Sequence, residues 1–386
     1  MLDRHIRPEL LNRLDAYPAV TLVGPRQCGK TTLARSLGGR YFDLEQESER
    51  LRADLEWDKL ATSRELVVLD EAQSWPAVFT RLRGAIDRDR KRHGRFLLLG
   101  SVSPSLMVHV SQSLAGRLSL IEMTPLLSTE LTTNASRERR WLCGGYPDGG
   151  VLDPRRYPRW QLDYLALLSQ RDLPNWGLSA KPQMTERLLR MLAALHGQVW
   201  NASQVGQSLG LSYQTVNSYL DYLEGAYLIR RLPPYLANVR KRLVKSPRIY
   251  WRDTGLLHAL LNVSDGRNLL TQPWVGASWE GFVIEQLIAE MSASGMNFNA
   301  YYFRTSDQYE LDLVVDVGGG LWAVEVKLTS SPNIGDMDRL NKVADMIGAK
   351  RRFLVTRTSR PAGDDYRASC NLPSLIERLN AIVRTG

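Results

Sequence analysis

The chain has 386 residues, 44% of them hydrophobic and 24% charged, with a formal charge of +9. These are globular proportions, and the length is enough for two or three domains. No run of about 18 apolar residues occurs, so no membrane span is expected. The three cysteines, Cys28, Cys143 and Cys370, rule out a disulfide framework or a Cys-type zinc site, and the N-terminus lacks a signal peptide's apolar core, so a cytoplasmic protein is expected.

The first readable unit is "PAVTLVGPRQCGKTTLARSL", an apolar strand, a loop and a helix. The loop fits GxxxxGK[ST] with Gly24, Gly29, Lys30 and Thr31. Glycines let backbone N–H groups close around phosphate oxygens, Lys30 reaches the outer phosphates, and the Thr31 hydroxyl serves Mg²⁺. The helix that starts there turns its positive dipole end toward the same anion. The expected nucleotide cradle is Gly24, Pro25, Arg26, Gln27, Cys28, Gly29, Lys30, Thr31 and Thr32.

A second apolar strand, in "RELVVLDEAQSW", ends in Asp70 and Glu71. Ligands of doubly wound sheets collect at such strand ends. Asp70 is the expected Mg²⁺ carboxylate and Glu71 the base that polarises the attacking water; a plain pair of helix-capping acids is the alternative. A third strand, "GRFLLLGSVS", places Ser101 just past its end, either to hold the water and sense the γ-phosphate or as ordinary turn chemistry. "QSLAGRLSLIEMTPL" then puts Arg117 immediately before a further strand.

In that order, "GPRQCGKTTLA", "VVLDEAQ", "LLLGSVSPSL", "SLAGR" and "CGGYPD" resemble the bacterial and archaeal AAA-type ATPases that carry a long C-terminal region. The resemblance implies ATP and Mg²⁺ as cofactors. It implies that Arg117 is an arginine finger reaching a neighbouring subunit's nucleotide, an effect worth roughly 10³–10⁵ in rate; the alternative is a surface arginine. It also implies that Pro147, in the Gly144–Pro147 turn, lies near the adenine. Two departures stand out: Cys28 replaces a small apolar residue in the loop, and Ser101 stands where many such proteins place Asn or Thr.

A helical stretch from about 155 to 177 follows. Within it, Arg171 can reach nucleotide or pair with Asp172. Next come three helices. "TERLLRMLAAL" is amphipathic. "NASQVGQSLG" carries Asn201 or Ser203 as N-cap and Gly210 at its end. "SYQTVNSYLDYLEGAY" starts at Ser212 with Val216, Leu220 and Leu223 on its apolar stripe. A short helix, a tight turn and a second helix is the helix-turn-helix pattern, and "AYLIRRLPPY" with "NVRKRLVKSPRIYW" completes a winged helix. Gln214, Thr215, Asn217, Ser218 and Tyr219 suit bases and phosphates; Arg240, Lys241, Arg242 and Lys245 suit a phosphate backbone. From Lys181 to Leu260 there are eleven Lys and Arg against four Asp and Glu, a net +7. That excess suggests a polyanion partner, or simply a basic surface.

Near the C-terminus, "ELDLVVDVGGGLWAVEVK" reads as two strands. Alternation puts Glu310, Asp312, Val314 and Asp316 on one face, with Leu311, Leu313, Val315 and Val317 opposite. Pairing Val317 with Trp322 sets Asp312 across from Lys327, whereas a one-residue slip separates the acids and the lysine onto opposite faces; spacing leaves the choice open. Upstream, "GASWEGFVIEQLIAEM" is a helix with Glu280 on its apolar stripe and Glu285 and Glu290 off it. A helix glutamate, then Asp, then Glu-x-Lys resembles the PD-(D/E)xK nuclease core. By that resemblance Asp312 and Glu325 bind Mg²⁺, Glu280 supports them, and Lys327 orients water or stabilises the phosphorane; a salt-bridged sheet face, or a fold that binds without cutting, is the alternative.

The expected architecture is therefore α/β: a P-loop AAA-type core (1–150), a helical lid (151–180), a winged-helix domain (181–265) and a restriction-endonuclease-like α/β domain (266–386). The expected function is an oligomeric ATPase, with a hexamer as one form, that binds and remodels duplex or branched DNA. An ATP-switched regulatory or defence protein and an ATP-gated nuclease are the rivals.

Overall fold

The computed structural model describes residues 2–100, 114–236, 243–318 and 320–385. Ser101, Arg240, Lys241 and Arg242 lie outside the described residues.

Among the described residues, the N-terminal module is a five-stranded sheet of β1 (Ala19–Val23), β2 (Arg40–Asp43), β3 (Val67–Asp70), β4 (Phe96–Gly100) and β5 (Leu118–Glu122), in the order β2-β3-β4-β1-β5. All its pairings are parallel. β1, β3 and β4 are buried along their whole length, which is why they read as continuous apolar runs. The order reverses beside β1, so the crevice for a ligand opens at the C-terminal ends of β1 and β3.

The middle of the chain is helical. Pro182–Ala194, Ala202–Leu209 and Tyr213–Gly225 pack around one core together with the antiparallel pair β6 (Ile229–Leu232) and β7 (Arg248–Trp251). Sequence caps fix the two short helices: Asn201 accepts from the Gln204 N–H, Ser212 from the Thr215 N–H, and Gly210 takes φ +69° in the tight turn between them.

The C-terminal sheet comprises β8 (Asn299–Arg304), β9 (Glu310–Val317), β10 (Gly320–Val326), β11 (Arg351–Thr356), β12 (Ala362–Gly363) and β13 (Arg367–Asn371), in the order β12-β13-β11-β10-β9-β8. Helices cover both faces. Val275–Ala293 and Leu372–Thr385 pack on the side of Leu313, Val315 and Val324, and Ile334–Ile347 packs on the side of Val314 and Ala323. The face that reads as acidic is therefore covered as well, and Asp312 is buried.

The modules interlock. The segment between β6 and β7 does not hang free at its ends: Pro234 bridges to Tyr302 on β8 and Leu243 bridges to Thr305. The helix Val275–Ala293 is buried nearly all round. Glu285 and Glu290, which fall off the single apolar stripe, are buried too, because the other side of this helix packs on the N-terminal helix Ile6–Ala16 and on the middle module. Their charges are matched: Glu285 pairs with Arg230 and Arg252, and Glu290 with His5 and Thr129. Among the described residues no helix is long and apolar enough to cross a membrane.

Candidate functional site

The phosphate loop leaves β1 at Val23. Gly24 (φ +151°), Gln27 (+61°) and Gly29 (+105°) take left-handed backbone conformations that open the loop around its own N–H groups. A Cβ at Gly24 would meet the Met123 carbonyl oxygen at 2.1 Å, so only glycine fits. The Lys30 amine donates to the carbonyls of Gly24 and Pro25 at 2.9 and 2.8 Å, across the mouth of the loop. Cys28 is buried against the Met123 carbonyl, and Arg4 donates to the Cys28 carbonyl from behind.

Parallel register brings Asp70, at the end of β3, to the first turn of the helix Lys30–Arg35 that follows the phosphate loop, where Thr31 Oγ1 donates to Asp70 Oδ2 at 2.7 Å. The Tyr41 hydroxyl, from β2, donates to the same oxygen at 2.6 Å. Burial and the Asp70 charge push the Tyr41 hydroxyl pKa up, so it stays a donor. This donor set fits Mg²⁺-nucleotide: Thr31 and Asp70 would hold the ion and the loop N–H groups with Lys30 the phosphates, supplying charge neutralisation at the transferred phosphoryl group. Tyr41 carried no sequence motif; only pairing of β2 with β3 reveals it. A hydrogen bond to a charged group is worth about 1.5–3 kcal/mol. Tyr41→Phe should therefore raise the Mg²⁺ concentration for half-maximal ATP hydrolysis roughly tenfold, and an unchanged Mg²⁺ titration would remove Tyr41 from the site.

Glu71 follows Asp70 with φ +48°, a left-handed conformation rare outside glycine. Its N–H donates to Asp70 Oδ1 at 2.9 Å, and Gln73 donates to its carboxylate. Burial raises the Glu71 pKa, opposed by Gln73 and Lys30. A carboxylate so placed is a better proton acceptor than an exposed glutamate.

Arg117 stands at the other end of the sheet. β1 and β5 pair in register from Ala19–Leu118 to Val23–Glu122. Arg117 is therefore about 17 Å, five residues of strand, from its own phosphate loop. It forms a bidentate pair with Asp87, at 2.9 and 3.0 Å. It cannot serve the nucleotide of its own subunit. Arg171 pairs with Asp172 at 3.1 Å, and Asp172 also meets Arg26 of the phosphate loop at 3.3 Å. Asp172, not Arg171, is thus the residue of this helical stretch in touch with the phosphate loop. Pro147 is half-buried, and the neighbouring Tyr146 lines a small cavity with Pro25. The Gly144–Gly145 turn is held from below: Asp253 accepts from the Gly145 N–H at 2.7 Å, and a Cβ at Gly144 would strike its carboxylate at 2.0 Å.

In the middle module the helix Tyr213–Gly225 presents Gln214 and Ser218 to solvent, with Thr215 half-buried at its start. Two residues expected on that face are committed inward. Asn217 accepts from Trp200 Nε1 at 2.9 Å, and Tyr219 is buried in the core. Lys245 is exposed. Four acids from elsewhere in the fold, Glu122, Glu280, Glu285 and Glu310, offset part of the local +7, while Arg231 pairs within the segment. Arg231 pairs with Asp221 and Glu224, Arg230 with Glu285, Arg252 with Glu122 and Glu285, and Arg248 with Glu280 and Glu310. Counting charge along the sequence cannot see these pairs.

In the C-terminal module β10 pairs with β9 so that Gly320 faces Val317. This register lies two residues from the Val317–Trp322 pairing. Continued, it sets Asp312 across from Glu325 rather than from Lys327, and keeps all three on one face. Asp312 Oδ2 accepts from the Val326 N–H at 2.8 Å, and the Lys327 amine pairs with Glu325 at 2.7 Å. Glu280 joins the cluster from its helix, where Tyr250 and Arg248 donate to it. Burial, with Glu280 and Glu325 nearby, drives the Asp312 pKa well above the usual carboxylate range. Burial likewise pushes Glu280 up to about 6, against the pull of Arg248. Glu280, Asp312, Glu325 and Lys327 line a cavity of about 790 Å³ together with Arg339 and Lys342. Among the described residues, however, no three His, Cys, Asp or Glu are grouped to hold a metal ion. In this arrangement Asp312 and Glu325 do not fit an Mg²⁺ site, because the Arg248 guanidinium sits among the acids.

Comparison with known proteins matches residues 16–132 to an AAA domain, residues 134–267 to a domain of unknown function (DUF8612), and residues 275–375 to a domain of unknown function (DUF4143). Two uncharacterized proteins, from Mycobacterium bovis and Mycobacterium tuberculosis, are each 39% identical over 367 residues, covering 92% of this chain and 82% of theirs. The AAA match places the N-terminal module among ATP-hydrolysing P-loop NTPases, which use nucleotide and usually Mg²⁺.

Proposed function

We propose that this chain, which belongs to the family of the two mycobacterial proteins and joins an AAA domain to a DUF4143 domain, is an oligomeric ATPase that binds and remodels DNA. The observation that carries the reading is the placement of the middle module. Its capped helix pair exposes Gln214 and Ser218, and Pro234 and Leu243, between β6 and β7, bridge to Tyr302 and Thr305 at the edge of the C-terminal sheet. We read the helix pair with β6 and β7 as a winged helix beside a nuclease-like sheet, which together would offer a face to a duplex or a branched junction. ATP hydrolysis at Lys30, Thr31, Asp70 and Glu71 drives the change of shape. Arg117, remote from its own nucleotide, is the finger for a neighbouring subunit, and it leaves Asp87 to act. Pro147, beside Tyr146, borders the adenine.

ATP turnover measured against single-stranded, duplex and four-way-junction DNA, at several salt concentrations, tests this. Stimulation by DNA, with binding that weakens steeply as salt rises, is expected; turnover indifferent to every DNA overturns the remodelling reading. Arg117→Ala should abolish hydrolysis while sparing nucleotide binding, and mixing it with Glu71→Gln subunits should restore part of the activity.

A second reading, an ATP-switched regulatory protein, is favoured by the internal pairing of Arg230, Arg231, Arg248 and Arg252, which removes charge from the surface. In that case nucleotide state alters assembly or a protein partner's binding while DNA leaves turnover unchanged. The presence of Arg248 among the acids weighs against an ATP-gated nuclease in the arrangement described.

A further inference from the structure

The acidic cleft of the C-terminal module already contains a cation, and another module supplies it. Arg248, on β7, is 5% exposed. Its guanidinium bonds to Glu280 at 3.1 Å and to Glu310, and lies 3.7 Å from Asp312. Its Nε has no hydrogen-bond partner among the described residues. Tyr250, two residues on and therefore on the same face of β7, donates to Glu280 as well. Carboxylates drawn out of water need a counter-charge, and a cluster of hard oxygen donors ordinarily obtains it from a divalent ion. Here Arg248 and Lys327 provide it.

We propose that Arg248 is the resident cation of this cleft and keeps divalent ions out, so that Glu280, Asp312 and Glu325 become an Mg²⁺ or Mn²⁺ site only when β7 withdraws the guanidinium. The plug sits on a strand with a second anchor. About 13 Å along β7, Arg252 joins Glu122 and Glu285, and Glu122 pairs in the sheet with Val23, the residue before the phosphate loop. One strand therefore ties the rim of the nucleotide module to the acids of the cleft. Its face carrying Ile249 and Trp251 is packed in the middle core, so a shift of that module carries the guanidinium with it. The cavity of about 790 Å³ gives a hydrated ion a way in.

Mn²⁺ titration of the full chain without nucleotide or nucleic acid, followed by electron paramagnetic resonance, tests this independently of the DNA reading. Arg248→Gln should bind one Mn²⁺ on the order of tenfold more tightly than wild type, since a like charge a few ångströms away is removed. Arg248→Gln combined with Asp312→Asn should lose that site. An Asp312-dependent site in wild type as tight as in Arg248→Gln would overturn the proposal, as would no gain in Arg248→Gln. Should Arg248→Gln fail to fold, Arg248→Met removes the same charge while keeping an apolar stem of similar length in the buried position. The same gain in Mn²⁺ affinity is then expected, and no gain overturns the proposal.

Discussion

Glu71→Gln should lower ATP hydrolysis by roughly 10²–10⁴ while nucleotide binding persists. The substitution keeps the shape of the side chain, its contact with Gln73 and the left-handed backbone that aims it past the end of β3. What it removes is the proton acceptor. Asp70 cannot take over, because its oxygens are engaged by Thr31, Tyr41 and the Glu71 N–H. Lys30→Ala should behave differently and lose nucleotide binding itself, so equilibrium binding of a fluorescent nucleotide beside single-turnover hydrolysis separates the two roles. Because burial raises the Glu71 pKa, the base is lost by protonation at a higher pH than an ordinary glutamate would be. The acid limb of the rate profile should therefore lie at higher pH than an ordinary glutamate would give, and vanish in Glu71→Gln. Hydrolysis by that variant at the wild-type rate would place the base elsewhere.

Asp253→Ala should cost about 3–5 kcal/mol of stability, the usual result of stripping one partner from a buried charge pair. Asp253 is 3% exposed and accepts from the N–H groups of Gly145 and Leu256 at 2.7 and 3.1 Å. Arg140, equally buried, lies 3.8 Å away. Removing the carboxylate leaves the turn N–H, the cap of the helix Thr254–Leu260 and the guanidinium short of a partner at once. Asp253→Asn keeps the acceptor for the turn and should cost less. Denaturant unfolding of both variants measures the difference; an Asp253→Ala protein as stable as wild type would show that the turn does not depend on Asp253. The same contact explains Gly144, where any Cβ would collide with the carboxylate.

The nucleotide half of the molecule is legible in the sequence because its chemistry is local. Gly24, Gly29, Lys30 and Thr31 lie within one loop and turn, and Asp70 with Glu71 at the end of one strand. The short helices of the middle module are legible for the same reason, since Asn201, Gly210 and Ser212 act within three residues of themselves. Tyr41 is invisible until β2 is placed beside β3. Asn217 and Tyr219 look like a recognition surface until Trp200 and the core claim them.

Sequence by itself determined the phosphate loop, the acids at the end of β3, the caps and the acidic strand pair, since each depends on backbone propensity or on periods of two and 3.6 residues. Tertiary structure alone decided where the charges go. Arg248 and Arg252 count toward a basic segment in the chain, yet they end among Glu122, Glu280, Glu285 and Glu310, up to 130 residues away. Buried charges must be matched by whatever neighbour the fold brings, and that neighbour is set by packing between modules, which no window of sequence contains.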